Sequence, residues 1–403
     1  MANVIRDFGA ADLSGIDWVA RAKDLAPVIA SAAPEIDAGR GFTPELVAAL
    51  HASGLYRLLL PRSCGGAEVD AMTFAEVIAE IAAHDASTAW CIGQVTACSM
   101  SAAYMELDAA REIFGPADTV LAWGPPRPGA TNRAIVVDGG YRVSGGWQFA
   151  SGSRQATWMG AAVALFDGDV PRLNPAGKPV VRTVLFPKHH ATIEDVWQVV
   201  GLRGTGSDRY AINDLFIPES HSFGRDGYGW REPGPLYRLS MVFMHAIAFA
   251  AVPIGIARAT LESFVDLARH KRPARGSFGK PLRENNAIQM HIGRAEARLR
   301  AAKAYLLAST RDAWAEASTL SEGEVGLERR IDMRAASTHA IGEAEKVVDI
   351  CYRLAGANAI FDSEPFERRF RDLHTVTQQV QGHLSNYETI GQYRLDLPID
   401  LSI

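Results

Sequence analysis

The hydrophobic period of this 403-residue chain changes twice, and that change limits its fold more than any single motif does. Up to about residue 118 apolar residues recur at helical spacing. From Thr119 to about Ser222 they fall into short β-like runs (TVLAWG, AIVVDGGYRVSG, WMGAAVALF, VVRTVLFP, YAINDLFIP) divided by Gly, Pro and Asp. After the Gly/Pro-rich segment GRDGYGWREPGP, long helical patterns return, with Leu327, Ile331, Ala335, Ile341, Ala344, Val348 and Cys351 near one face. Helices and strands segregated in this way exclude the βαβ alternation of a doubly wound sheet. The pattern predicts a mostly α chain in three parts: an N-terminal helical domain (1–118), a central antiparallel β-domain (119–232) and a C-terminal helical bundle (233–403).

Local signals agree. Thr43-Pro44-Glu45 reads as an N-cap, an N1 proline and a first-turn acid, and Gly54 can end that helix. A second helix is expected from about Ala71 to Ala83. Asp138-Gly139 between AIVV and YRVSG predicts a hairpin. Gly201, Gly204 and Gly206 superficially suggest a dinucleotide loop, but a strand follows them where that loop needs a helix.

Charge and motif content exclude several classes. The formal net charge is −5 and no basic block or aromatic-basic array is present, which argues against a nucleic-acid partner. The N-terminus lacks a basic and apolar leader pattern, so a cytoplasmic protein is expected. The longest apolar run, His245 to Ala257, is too short to cross a bilayer and predicts a buried helix. Cys64, Cys91, Cys98 and Cys351 show no zinc-ligand spacing and are expected as reduced core residues without a metal. No HExxH, GxSxG or P-loop occurs.

Five segments, in order along nearly the whole chain, resemble the acyl-CoA dehydrogenase superfamily: GLYRLLLPRSCGG, GGYRVSGGWQFASG, GLRGTGSDRYAINDLFIPES, RGSFGK and FERRFRDLHT. The resemblance implies a helical domain, a β-domain and a four-helix domain, with a flavin between the last two. It also implies a homotetramer. Two chemistries share that fold. A dehydrogenase needs a carboxylate to take the α-proton of a thioester. The positions matching the usual base hold Gln379 and Val380, and the alternative base position on the first long C-terminal helix matches His245. Glu388 lies more than two further helical turns along. The cofactor motifs are also altered, to WGPPRPGATN and RLAGANAIF.

These replacements look like the two-component flavin-dependent monooxygenases of group D. The resemblance then implies reduced FMN or FAD from a separate reductase, O2 as co-substrate, a C4a-hydroperoxyflavin and an aromatic or indole-like substrate. A dehydrogenase with an unusual base and a non-catalytic flavin-binding protein are the alternatives.

The same resemblance implies the site. Trp147, Phe149, Ala150, Ser151 and Gly152 belong to the strand that passes the flavin, with Ser151 placed to hydrogen-bond the ring. Trp147 and Trp158 bracket the ring or simply pack. Arg203, Thr205 and Ser207 line its polar edge or form a turn, and Arg275 and Phe278 reach a neighbouring subunit's flavin or form a solvated loop. Many such oxygenases carry a His where this chain has Gln379, which cannot take a proton near neutral pH. His383, at i+4 from Gln379 on the expected helix, and His245 on the neighbouring helix are the candidates for that task, each with a packing or surface role as its alternative.

Overall fold

The computed structural model describes residue 13 and residues 15–224, 229–272 and 280–399. The first helical part comprises α1 (Trp18–Asp24), α2 (Ala26–Gly39), α3 (Pro44–Ser53), α4 (Ala71–Ala82), α5 (Ala86–Ser99) and α6 (Leu107–Phe114). Helices α1, α3, α4 and α5 start where side chains satisfy orphan N–H groups. The Thr43 hydroxyl accepts from the Leu46 amide at 3.2 Å, Asp70 accepts from Met72 and Thr73, and Asp85 accepts from the Thr88 amide at 2.7 Å. Gly54 ends α3 in the left-handed conformation, at φ +77°. Every residue of α5 is buried, so this helix carries the later site on a rigid support.

The strands are β1 (Leu121–Ala122), β2 (Arg133–Val137), β3 (Gly140–Ala150), β4 (Trp158–Asp167), β5 (Val170–Pro171), β6 (Val181–Pro187), β7 (Thr192–Glu194), β8 (Asp208–Pro218) and β9 (Ser222–Gly224). They form one sheet in the order β7-β8-β3-β2-β4-β6-β9, with β1 and β5 also paired to β4. The Asp138-Gly139 turn joins β2 to β3 as expected. The sheet is mixed, however, where an antiparallel one was expected: β1 and β2 both run parallel to β4. The connection from β3 to β4 passes over one strand, so β4 returns beside β2 in the same direction. Alternation along a strand reports which face is buried and carries no information on the direction of its neighbour.

The last part holds α7 (Met241–His270), α8 (Asn286–Thr319), α9 (Leu327–Ala355), α10 (Phe366–Val376) and α11 (Asn386–Arg394). The apolar run around His245 belongs to α7, whose 30 residues are long and apolar enough to cross a membrane, contrary to the shorter element expected. Of its most apolar window 83% is buried in the protein, so it is the core helix expected from its composition. Small residues let its neighbours approach: a Cβ on Gly93 of α5 would lie 2.8 Å from that of Ala248, and one on Gly255 would lie 2.2 Å from the Ala79 carbonyl of α4. All four cysteines are buried and outside any disulfide, and burial pushes the Cys351 thiol up to about 12.

Candidate active site

Between β3, the loop before β8, α5, α7 and the turn after α10 lies a cavity of about 630 Å³, within the range of small-molecule sites. Trp90 and Phe249 stack in its wall at 4.0 Å, and Phe149 meets Trp197 edge-on at 6.1 Å. Among the described lining residues no Asp, Glu, Lys or Arg occurs, and His245 is the titratable side chain. A larger hollow of about 1220 Å³ lies between α2, the loop before β8 and α10. Within it Arg371 pairs with Asp37 and Glu367.

One wall is built by backbone that departs from regular strand. The pairing of β3 with β8 slips between Trp147 and Ala150, and there Phe149 takes φ +56°. The bulge turns its ring out of the sheet and into the cavity, leaving it 54% exposed. Leu202 opposite has φ +50° and also lines the cavity. A non-glycine residue held there costs roughly 1–3 kcal/mol, so both positions depend on their surroundings to hold them. For Leu202 the holding contact is Asp372 of α10, whose carboxylate accepts from the Leu202 amide at 2.6 Å.

Ser151 and Ser207 bring the polar atoms of this wall. The Trp90 indole donates to Ser151 Oγ at 3.1 Å, the two serine hydroxyls lie 2.7 Å apart, and Ser207 Oγ lies 2.7 Å from Thr205 Oγ1. Thr205 Oγ1 in turn donates to the Leu202 carbonyl at 2.9 Å.

The facing wall is helical. His245, in the first turns of α7, has Nδ1 2.7 Å from the Met241 carbonyl. A carbonyl can only accept, so Nδ1 carries a proton and the neutral ring keeps its lone pair at Nε2. Gln379 also lines the cavity, with Oε1 accepting from the Gln381 amide at 2.6 Å. That bond caps a short 3-10 turn, Val380–Gly382, after α10 has ended at Val376.

Several expected site residues therefore fall elsewhere. His383 shares no helical face with Gln379, because the helix stops first; it is exposed, with Nδ1 at 2.6 Å from Ser385 Oγ. Trp147 is a core residue and brackets nothing: fully buried, it stacks on Tyr210 and donates to the Ala162 carbonyl at 3.0 Å. Trp158 packs edge-on against His221. Ala150 is buried at the bulge. Gly152 is glycine for backbone and packing together: its φ is +83°, and a Cβ there would sit 2.7 Å from Val95 Cγ1. Gly145 likewise lies against Asn132 and Trp147. Arg203 turns away from the cavity to donate to the Asp37 carbonyl of α2, and Thr205 stands behind Ser207. Arg275 and Phe278 lie outside the described residues.

The structure adds Trp90, Trp123, Trp197 and Phe249 to the wall, which periodicity cannot separate from core aromatics. It also adds Asp372. Burial, and then the nearby carboxylate of Asp85, pushes its carboxyl up to about 7 against the opposing Leu202 amide bond and the Arg368 charge.

Comparison with known proteins identifies this architecture. Family models described as acyl-CoA dehydrogenase N-terminal domain and acyl-CoA dehydrogenase C-terminal domain match residues 21–107 and 247–382. Indole-3-acetate monooxygenase of Pseudomonas putida is 31% identical over 364 residues, 89% of this chain and 88% of that protein. The FADH(2)-dependent resorcinol hydroxylase oxygenase component of Rhizobium sp. is 27% identical, covering 93% of this chain and 91% of that one. The crystal structure of 3-HSA hydroxylase from Rhodococcus sp. RHA1 superposes with a TM-score of 0.84 at 26% identity, over 96% of this chain and 98% of that chain.

These relatives place the helical, β and helical fold and its aromatic cavity among flavin-dependent oxidoreductases of the oxygenase kind. The chain belongs to the acyl-CoA dehydrogenase superfamily, in its branch of two-component flavin-dependent monooxygenases.

Proposed function

We propose that this protein is the oxygenase component of a two-component monooxygenase, and that the aromatic cavity takes a reduced flavin together with an aromatic, indole-like substrate. The observation that carries this reading is the cavity's polar inventory. Ser151, Ser207, His245, Thr375 and glutamines interrupt an otherwise aromatic and aliphatic lining, and the position of a dehydrogenase base holds Gln379. A flat, electron-rich ring fits between Phe149, Trp197 and the Trp90 and Phe249 stack, and the two serines offer hydroxyl oxygens to its heteroatom edge. When bound, reduced flavin supplies the electrons that activate O2 and lead to insertion of one oxygen atom into the substrate.

The chain's own residues supply the remaining functions. Trp90, Trp123 and Phe249 exclude water, which would otherwise divert the oxidant to hydrogen peroxide. His245, with Nδ1 tied to Met241, holds or takes a proton at Nε2 beside the substrate. Gln379 contributes an amide donor from the same side and no proton transfer.

The test is direct. Reduced flavin from a reductase, with O2 and indole as a probe, should give an oxygenated product carrying label from 18O2. Anaerobic acyl-CoA thioesters should leave protein-bound oxidised flavin unreduced; reduction at a catalytic rate would return the protein to the dehydrogenases.

The reading includes a homotetramer. Large apolar side chains late in the chain are exposed, among them Ile360 (63%), Phe361 (55%) and Leu384 (74%), which supports their burial against further copies. Light scattering at micromolar protein should give four times the monomer mass; a monomer mass would remove this part.

A further inference from the structure

The four hydrogen bonds behind the cavity's polar wall have a fixed direction. The Leu202 carbonyl has no proton to give, so the hydrogen between it and Thr205 Oγ1, 2.9 Å away, belongs to Thr205. With its hydrogen committed, Thr205 can only accept from Ser207 at 2.7 Å. Ser207, now committed in turn, can only accept from Ser151 at 2.7 Å. The Trp90 indole, which is donor only, closes the other end at Ser151 Oγ. The chain therefore runs one way, from Trp90 through Ser151, Ser207 and Thr205 to Leu202. Every hydroxyl hydrogen in it is spent inside the protein. Ser151 (5% exposed) and Ser207 (2%) line the cavity, and each hydroxyl oxygen makes one donated and one accepted bond there, which leaves one lone pair.

We propose that this directed hydroxyl chain is a filter for flavin redox state: the Ser151 and Ser207 hydroxyls present only acceptors to the ring and so select the reduced flavin. The inference rests on the reading above that the cavity holds the flavin. The isoalloxazine ring changes its hydrogen-bonding character on two-electron reduction: N5 is a lone-pair acceptor when oxidised and an N–H donor when reduced. Against these two hydroxyl acceptors the reduced ring gains a hydrogen bond. The oxidised ring sets lone pair against lone pair in a mostly aromatic and aliphatic lining, where an unmet polar group is costly. The selectivity originates at Thr205, which touches no ligand and acts through Ser207. It is a positioning residue for the wall's polarity.

Replacing Thr205 by Val removes the acceptor that holds the Ser207 hydrogen. That hydrogen then turns either to the cavity or to Ser151, and in the second case it releases the Ser151 hydrogen to the cavity. Both outcomes put one donor on the wall. Ser207→Ala does the same by a different route, because Ser151 loses its acceptor. Thr205→Ser keeps the chain and serves as the conservative control.

The experiment is equilibrium binding of FMN and of FAD to the full-length protein, each flavin oxidised in air or reduced under anaerobic conditions, followed by calorimetry without substrate. The expected result is that the wild type and Thr205→Ser bind the reduced form about tenfold more tightly than the oxidised form, the scale of one hydrogen bond made against one refused. In Thr205→Val and Ser207→Ala the ratio should fall towards one, chiefly through tighter binding of the oxidised form. A gain in affinity is not what a merely destabilised variant gives. Equal wild-type affinities, or an unchanged ratio in both variants, would overturn the filter while leaving the flavin site in place. Failure of the wild type to bind either form would overturn the flavin reading itself, and the filter with it.

Discussion

The two walls of the cavity are built by different means. The wall from β3 and the loop before β8 is fixed by backbone: a bulge, two residues at positive φ and a line of hydroxyls whose hydrogens are all committed. The other wall uses the regular helix α7 and the turn after α10, and its chemistry sits in one imidazole and the amides of Gln378 and Gln379. A wall without a mobile proton suits a cofactor that must be held in one orientation. A wall with an imidazole suits a substrate whose proton has to go somewhere. On the function proposed above, flavin takes the strand side and substrate the helix side.

The largest test of this division removes the imidazole. His245→Ala should reduce coupled oxygenation by about 10²–10⁴-fold, the span expected for losing a positioned general acid or base, while reduced flavin still binds. The measurement is product formed per flavin oxidised. A normal yield would leave the helical wall without a proton carrier and the comparison without its second term.

The next test asks what supports the strand wall. Trp147 and Phe149 are two residues apart on one strand, yet the first is fully buried and the second is 54% exposed at the cavity. Trp147→Ala should cost about 3–5 kcal/mol of unfolding free energy, as emptying a core aromatic does. Phe149→Ala should cost less than about 1 kcal/mol and weaken flavin binding instead. Denaturant melts of both variants, with flavin titrations, separate the roles. Similar losses of stability would mean that the bulge does not divide core from site.

A third, smaller effect concerns the strut between the walls. Asp372 has its carboxyl pushed up to about 7, so the folded protein prefers it protonated. For an acid shifted upward, the associated stability is greatest below the ordinary carboxylate value. It falls as pH rises towards about 7 and is level beyond. Asp85 and Asp37 work in the direction of that shift, and Arg368 and the Leu202 amide against it. Asp372→Asn keeps an acceptor for Leu202 and cannot ionise. The fall in stability between pH 5 and pH 8 should shrink by about 2 kcal/mol in the variant. An unchanged pH profile would mean that this carboxyl ionises without cost.

These residues show which parts of the molecule the amino-acid order made legible. Thr43, Asp138-Gly139 and the helical stripe from Leu327 to Cys351 act through local rules, and each sits in the element expected. The parallel pairing of β2 with β4 depends on which strand the chain skips, and no local pattern encodes that. Within the site, Ser151, Ser207, His245, Phe149 and Gln379 were visible from family resemblance and do meet at one cavity. Trp90 and Phe249 were not legible as wall because, along a buried helix, a cavity wall and a core have the same spacing. Trp147 was misplaced for the converse reason. It is a large aromatic in a cofactor-like segment, but the bulge that turns Phe149 outward begins just after it.

His383 gives the smallest expected effect and the sharpest boundary to the helical wall. Had α10 continued, Gln379 and His383 would have shared a face, and a proton could have been handed between histidines across the cavity mouth. The chain prevents this at Gln379 itself, whose backbone is extended at ψ 150° and whose side chain caps the following 3-10 turn. His383 is left exposed beside Ser385, on a turn anchored from beneath by Asn386, whose amide donates to the Val380 carbonyl at 2.9 Å. His383→Ala should therefore change stability by no more than about 0.5 kcal/mol and leave product per flavin unchanged. The double variant with His245→Ala should match His245→Ala alone, since sites without a shared partner act independently. A loss of coupling from His383→Ala, or a further loss in the double variant, would extend the proton-handling wall beyond His245 and require the turn after α10 to rearrange when ligands bind.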